Sequence, residues 1–344
     1  MTQLKAGVVK YKFSTATVNY YFNSKFSELG KLVSRKTTVL ITDENIYRLH
    51  ESKFKGWNSI VLKPGEEYKV QATVDSIIEQ LIVFEADRNT TLIGIGGGVI
   101  SDLTGYTASI YMRGIRFGFV PSTLLSMVDA AIGGKNGIDV GEYKNMVGII
   151  RQPEFLLFDT SLLQTLPEKE WSNGFAEVIK HACIRDAAAF RLLEKTDIDG
   201  LKKDKKALSS LIERNARLKS GIVQKDEFEK GERKLLNFGH TIGHAVETQY
   251  ELMHGEAVAI GMTCASRFSE LLLGFNQTER ITNLLEKYKL PTWAEFDAEK
   301  VLQVLKMDKK RSGNTMNFIL LKKIGEAVIV PIPLKQLEKM VKSL

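Results

Sequence analysis

Cysteine is nearly absent from this chain. Two occur in 344 residues, Cys183 and Cys264, each alone in apolar surroundings. That excludes a disulfide framework and a thiolate metal or redox site. Proline is scarce as well, with seven in all, so no proline-rich linker or repeat interrupts the chain. No apolar run approaches the ~20 residues that a membrane helix needs. The opening stretch MTQLKAGVVKYKF has no uninterrupted apolar core of the kind a secretory signal carries. A cytoplasmic protein that does not associate with membrane is expected. Nucleic-acid signatures are missing too, although the net charge is +7. The densest basic run, LKKDKK at 201–206, is broken by Asp204, follows Asp197 and Asp199, and carries no aromatic residues for stacking on bases. A small anionic substrate is the remaining partner that a basic balance suits.

What is present has two characters. A chain of 344 residues exceeds one ordinary core, so about two domains are expected. Up to about residue 160, short apolar runs alternate with helical periods. TTVLITD (37–43), SIVLKPG (59–65), TTLIGIG (90–96), IRFGFVPST (115–123) and PEFLLFD (153–159) read as strands. Apolar residues at 74, 77, 78, 81 and 84 give a helix, and another is expected from about residue 98. This alternation predicts an α/β domain, residues 1–160, built on a mostly parallel sheet. After Pro167 nearly every segment to about Met307 has helical period, which predicts a mainly helical second domain, residues 161–344. Only the tail MNFILLKKIGEAVIVPIP (316–333) returns to a strand pattern, with Ile324-Gly325 as its turn.

Several stretches carry chemistry. GIGGGVISDLTG (94–105) lies between an expected strand and an expected helix. Glycines there let backbone N–H groups and a helix N-terminus meet a phosphate. The spacing is not the usual Gly-x-Gly-x-x-Gly, and the loop follows the third expected strand. Asp43 ends the first of these strands, where it can meet a ribose or simply form a turn. MVDAAIGGKNGIDVGEYKNMVG (127–148) reads as a long polar connection, with Lys135 after a Gly-Gly pair and Lys144-Asn145 further on. Glu177 and Lys180 stand three apart on an otherwise apolar helix, so an inward-facing matched pair is expected.

The stretch EKGERKLLNFGHTIGHAVETQYELMHGE (229–256) holds three of the five histidines. Arg233, Asn237, His240, His244 and Glu247 step by four, three, four and three, which on one continuous helix places all five on one face. Such a stripe is neither a core face nor an ordinary solvated one. It suits a metal, an anion, or both. Histidine and carboxylate without cysteine point to zinc or another divalent cation. The i,i+4 histidines lack the glutamate of His-Glu-x-x-His, which argues against a metalloprotease. Spacing alone leaves open whether one or both of them bind.

Taken together and in order, the segments TDENI (42–46), PGEEYK (64–69), GGGVISDLTGY (96–106), YMRG (111–114), PSTLLSMVDAAIGGKNGID (121–139), KNMVG (144–148), FAEVIK (175–180), KDEFEKGERKLLNFGHTIGHA (225–245), HGEAVAIGM (254–262) and MDKK (307–310) resemble the 3-dehydroquinate synthase family, the cyclases of the shikimate pathway. The resemblance implies an NAD-binding α/β domain, a helical domain that binds metal and substrate, and an active site in the cleft between them. It implies zinc, or another divalent cation such as cobalt, held by Glu177, His240 and His254. NAD contacts would come from Asp43, Asn45, Glu66, Lys69, Gly97, Gly98, Asp102, Ser122, Thr123 and Lys144. Substrate contacts would come from Asp129, Lys135, Asn145, Lys180, Lys219, Arg233, Asn237, His244 and Lys309, with Lys310 as the alternative to Lys309. Lys135, Glu229, Asn237 and His244 would be catalytic. Arg113 would reach the substrate phosphate of a neighbouring subunit, which implies a homodimer.

The implied reaction turns 3-deoxy-D-arabino-heptulosonate 7-phosphate into 3-dehydroquinate and phosphate. Transient oxidation by NAD is followed by β-elimination, reduction, ring opening and aldol closure. The nearest alternatives are a cyclase of the same superfamily making an inosose or a valiolone, and a metal-dependent polyol dehydrogenase. Two departures from the family pattern stand out. Ser101 occupies a position that is usually glycine, and DAAIGGKNG replaces a more usual Asp-Ser-Ser-Val-Gly-Gly-Lys-Thr-Gly.

Overall fold

The computed structural model describes residues 7–141, 143–247, 250, 252–307 and 311–344, except the side chains of 306, 307, 311 and 312. Lys309 and Lys310 therefore lie outside the described residues. The strands in chain order are β1 (Val8–Lys12), β2 (Thr17–Tyr21), β3 (Thr38–Asp43), β4 (Asn58–Leu62), β5 (Thr91–Gly96), β6 (Arg116–Pro121), β7 (Lys135–Val140), β8 (Tyr143–Ile150), β9 (Phe155–Leu157), β10 (Arg311–Ser312), β11 (Thr315–Lys323) and β12 (Glu326–Pro333).

Seven of these form one sheet in the order β1-β2-β9-β6-β5-β3-β4. All its pairs are parallel except β1–β2. All six residues of β5 are buried, as a central parallel strand covered on both faces requires. Helix α1 (Gln71–Val83) buries Val74, Ile77 and Leu81, the period read from the sequence. Helix α2 (Gly98–Ile110) begins directly behind β5. Leu40, Ile93, Ile95, Val120 and Leu157 form the centre of an apolar cluster with Phe26, Leu29 and Phe54. Because β3 is flanked by β4 on one side and β5 on the other, the connections reverse direction there, the point at which open α/β sheets generally take ligands beyond the strands' carboxyl ends.

The stretch 127–148 differs from the expected open connection. A π-helical turn, Ser126–Ala130, leads into an antiparallel hairpin of β7 and β8. Glycine hid these strands from the sequence reading. Gly137 and Gly148 face each other across the hairpin, and a Cβ on Gly148 would lie 2.5 Å from the carbonyl oxygen of Asn136. The unforeseen β1 and β2 were masked by the lysines that alternate along the exposed β1 edge.

Two compact units emerge, Met1–Pro167 with Lys205–Phe228, and Glu168–Asp204 with Glu229–Leu344. A single cut near residue 160 therefore differs from the observed division. Helix α3 (Glu168–Arg185) opens the second unit, and α4 (Lys205–Lys225) returns to the first. Polar contacts explain the return. Ser220 Oγ donates to Tyr20 Oη at 3.0 Å, and the Glu227 carboxylate accepts from Ser14 N at 2.9 Å and Gln152 Nε2 at 2.9 Å. In the second unit α5 (His240–Glu247) and α6 (His254–Leu273) pack on an antiparallel sheet of β10, β11 and β12. Ile242, Val246, Ile260, Phe268, Phe318 and Ile332 fill that core. The tail turn falls at Ile324-Gly325, as the strand pattern implied. Among the described residues no helix is long and apolar enough to cross a membrane.

Candidate active site

In the first unit, expected cofactor residues gather at the carboxyl ends of β3, β5 and β6. Asp43 ends β3, and its Oδ1 accepts the N–H of Ile46 at 3.0 Å, so it also caps the short helix Glu44–Leu49 that carries Asn45. Burial raises the Asp43 carboxyl above its ordinary value, against the lowering effect of these backbone N–H groups. Gly97 and Gly98 open α2, whose first-turn N–H groups have no partner within the helix and receive no side-chain cap from Gly97. A Cβ on Gly97 would press on Thr123 at 3.3 Å. Ser122 N donates to Gly96 O at 2.9 Å, which fastens the loop after β6 to the one after β5. The Ser122 hydroxyl is buried and has no hydrogen-bond partner among the described residues, which fits a site that receives a polar group from outside. Ser101 does not intrude, because its hydroxyl folds back to Gly98 O at 2.9 Å.

Beside this loop Lys69 is buried among acids. Its Nζ pairs with Glu66, lies 3.7 Å from both Asp102 Oδ2 and Asp139 Oδ1, and donates to Asn145 Oδ1 at 3.1 Å. Burial alone would lower the Lys69 ammonium, but Asp102 and Glu66 hold it above its ordinary value. Burial pushes the Asp102 carboxyl up to about 7, with Lys69 opposing and Glu66 and Asp139 adding to the rise. Lys219 on α4 donates to Asp129 O at 2.8 Å and pairs with Asp129 Oδ2 at 2.8 Å. Lys135 starts β7 and Lys144 lies on β8, both exposed.

In the second unit Glu177 on α3 is fully buried and pairs with Lys180, itself 2% exposed. The inward-facing pair is thus present. Glu177 Oε1 lies 3.5 Å from His240 Nε2 and 3.4 Å from His254 Nε2. Ligands at ~2.0–2.1 Å from a tetrahedral ion stand roughly 3.3–3.4 Å apart, so these separations fit one divalent cation. The donor set, two imidazoles and a carboxylate, suits it too. His240 Nδ1 lies 3.2 Å from Phe238 O, a contact that directs the Nε2 lone pair toward Glu177. Burial lowers His254, but the Glu177 hydrogen bond and the Glu177 and Glu247 charges outweigh it and hold the imidazole above its ordinary value. The pocket therefore favours positive charge. His244, Glu247 and His254 also lie close enough to share an ion, but His244 is exposed, whereas Glu177 is not.

The expected single helix face is broken in two. Arg233 and Asn237 belong to a 3-10 turn, Glu232–Asn237, and the chain bends at Gly239 (φ 81°) before α5 begins at His240. Gly239 permits that bend, and its carbonyl sits where a side chain on Gly261 of α6 would go. Asn237 Nδ2 donates to Glu229 Oε1 at 2.6 Å, and Arg233 is buried.

Comparison with known proteins agrees with this geometry. The model of the 3-dehydroquinate synthase N-terminal domain matches residues 59–173, and that of its C-terminal domain matches residues 174–311. The chain belongs to the 3-dehydroquinate synthase family. A 3-dehydroquinate synthase of Campylobacter concisus is 41% identical over 315 residues, 88% of this chain and 90% of that protein. One from Nitratiruptor sp. is 44% identical over 304 residues, 85% of this chain and 86% of that protein. Among solved structures, a 2-epi-5-epi-valiolone synthase from Streptomyces hygroscopicus with NAD+ and Zn2+ bound superposes with a TM-score of 0.85. It is 25% identical, and the match covers 100% of this chain and 98% of that one.

Three further residues of this family member were not singled out from sequence. Asn173, one turn before Glu177 on α3, accepts the N–H of Gly255 at 2.6 Å and so fixes the start of α6 beside His254. Its i,i+4 spacing to Glu177 was the available signal. Arg151 clasps Ala108 O at 2.9 Å and Ile115 O at 2.8 Å, on either side of the turn that carries Arg113. Met112, Arg113 and Gly114 all have positive φ (48°, 66° and 117°), a strained run that needs such a clasp. Asp139, the third, is described above beside Lys69.

Proposed function

We propose that this chain acts as a 3-dehydroquinate synthase, converting 3-deoxy-D-arabino-heptulosonate 7-phosphate to 3-dehydroquinate and phosphate. The observation that carries the reading is the Glu177, His240 and His254 cluster, with ligand atoms at 3.4 and 3.5 Å, in a chain 41–44% identical to curated dehydroquinate synthases. NAD and a divalent cation, zinc or cobalt, would supply reversible hydride exchange and polarisation of a substrate hydroxyl when bound.

The first unit is the cofactor-binding domain on this reading. Asp43, Asn45, Glu66, Lys69, Gly97, Gly98, Asp102, Ser122, Thr123 and Lys144 hold NAD, and Asp129, Lys135, Asn145 and Lys219 orient the substrate. The second unit contributes the metal ligands, with Lys180, Arg233, Asn237, His244 and Lys309 for the substrate's anionic ends. A carboxylate and a phosphate on one small molecule call for several fixed cations, which this inventory meets. His244 holds a proton at the phosphate, Lys135 neutralises the departing dianion, and Glu229 and Asn237 act as a hydrogen-bonded pair in the proton transfers.

The reading extends to a cytoplasmic homodimer in which Arg113 serves the partner's site. An exposed apolar edge on the β7–β8 hairpin, with Tyr143 at 62%, Met146 at 63% and Ile149 at 41% exposure, supports self-association. A sedimentation experiment giving only monomer at micromolar concentration would remove that part.

One assay tests the activity, with phosphate release and absorbance of NADH followed together on the heptulosonate phosphate. Phosphate release without NADH build-up is expected. Steady NADH accumulation would indicate a dehydrogenase, and no phosphate release a different cyclase.

A further inference from the structure

The hairpin that carries Lys144 and Asn145 is irregular at one point. Ile138 pairs with Val147 and Val140 with Tyr143, so the single residue Asp139 faces three, Lys144 to Met146. A bulge of this kind re-aims the side chains on the longer strand. Asn145 at its centre has a φ of 52°, and its N–H donates to Asp139 Oδ1 at 2.6 Å. The N–H of Asp139 in turn donates to Lys69 O at 2.8 Å, and Lys69 Nζ lies 3.7 Å from Asp139 Oδ1. A ring closes when Lys69 Nζ donates to Asn145 Oδ1 at 3.1 Å.

Of the three carboxylates around Lys69, Asp139 is the most enclosed. Its side chain is 9% exposed, against 21% for Asp102 and 45% for Glu66. Glu66 and Asp102 are thus the ones open to a ligand, while Asp139 is committed to the chain's own groups. We infer that Asp139 is a positioning residue. Its carboxylate shapes the bulge that presents Lys144 and Asn145, and it holds Lys69 in place when Glu66 and Asp102 turn to a cofactor. One side chain thereby sets cofactor and substrate contacts together. The inference rests on the roles proposed above for Lys69, Lys144 and Asn145.

The test compares Asp139→Ala with Asp139→Asn in the full-length protein. It reads NAD affinity by titration, KM for the heptulosonate phosphate, and hydrogen exchange at the Asn145 amide. The asparagine variant keeps an oxygen to accept the Asn145 N–H but loses the charge facing Lys69. Asp139→Ala is expected to weaken NAD binding and raise KM each tenfold or more, and to release the Asn145 amide to exchange. Asp139→Asn is expected to keep that amide protected and KM within about threefold, while NAD binding still weakens several-fold. Equal behaviour of the two variants in all three readouts would reduce Asp139 to a space-filling role. NAD affinity and KM within twofold of wild type in Asp139→Ala would overturn the inference outright. NAD titration and amide exchange need no turnover. Absence of phosphate release in the wild type would therefore count against the proposed activity and leave this test intact.

Discussion

Replacing Gly261 with alanine is the sharpest probe of how the second unit builds its metal cluster. A Cβ at 261 would stand 1.8 Å from Gly239 O and 2.7 Å from Gly243 N. Both are backbone atoms, so no rotamer change relieves the clash. Restoring an ordinary C···O approach of ~3.3 Å needs about 1.5 Å of separation between α5 and α6. His240 starts α5 and His254 starts α6, so the shift falls on two of the three proposed ligands. Metal–ligand distances tolerate only about 0.2 Å. Overpacking costs about 1–3 kcal/mol, a fall of roughly 1–4 °C in Tm for a protein of this size. Metal affinity should suffer more, by ~10–100-fold, the range seen when a ligand's support is lost. The assay is a zinc-buffer competition titration beside a thermal melt of the metal-free protein. Gly221→Ala on α4 serves as the control, since a Cβ there meets nothing within 4 Å. Wild-type metal affinity in Gly261→Ala, with or without a lower Tm, would refute the claim that helix spacing sets the cluster.

Other expectations are simpler to state. Glu177→Gln should lower zinc affinity by at least tenfold while NAD titrates as in wild type, and retention of the ion at wild-type affinity would exclude Glu177 as a ligand. Asp102 binds its proton more tightly folded, with a value of about 7 against 3.8. Its contribution to stability is therefore full below about pH 4 and lost as pH rises through about 7. Denaturant unfolding of wild type and Asp102→Asn should show the wild type losing ground to the variant between about pH 4 and 7, and parallel profiles would contradict the assignment. Arg151→Met should loosen the Met112–Gly114 turn and raise KM for the phosphate substrate several-fold with little change in NAD affinity. An unchanged KM would mean the clasp does not serve Arg113.

The legibility of the fold followed burial. β3, β5, β6 and α1 were read within a few residues because an apolar run or a 3.6-residue period records which side faces the core. β7 and β8 were not, since β8 is exposed along nearly its whole length and each strand carries a glycine in its interior, Gly137 and Gly148. In the site, spacing alone left the histidines undivided, the family resemblance implied Glu177, His240 and His254 as ligands, and the structure brings their ligand atoms together. The continuous helix from Arg233 to Glu247 failed at Gly239, where close packing on α6 outweighs helical spacing. Asp139 and Arg151 escaped notice for a different reason. Arg151 acts through carbonyls 36 and 43 residues away, and Asp139 through a hairpin bulge and the distant Lys69, contacts that no local pattern encodes.

The return of Lys205–Phe228 to the first unit bears on how the protein is made. Ser14, Tyr20 and Gln152 find their partners at Ser220 and Glu227, so the first unit stays unfinished until about residue 228 has left the ribosome. By then Glu168–Asp204, part of the other unit, has already been synthesised and must wait beside an incomplete neighbour. A fragment ending at Pro167 would lack the segment that covers Tyr20 and Gln152 and should fold less stably than the whole chain. A cut at Pro167 would therefore divide the first unit itself instead of separating it from the second.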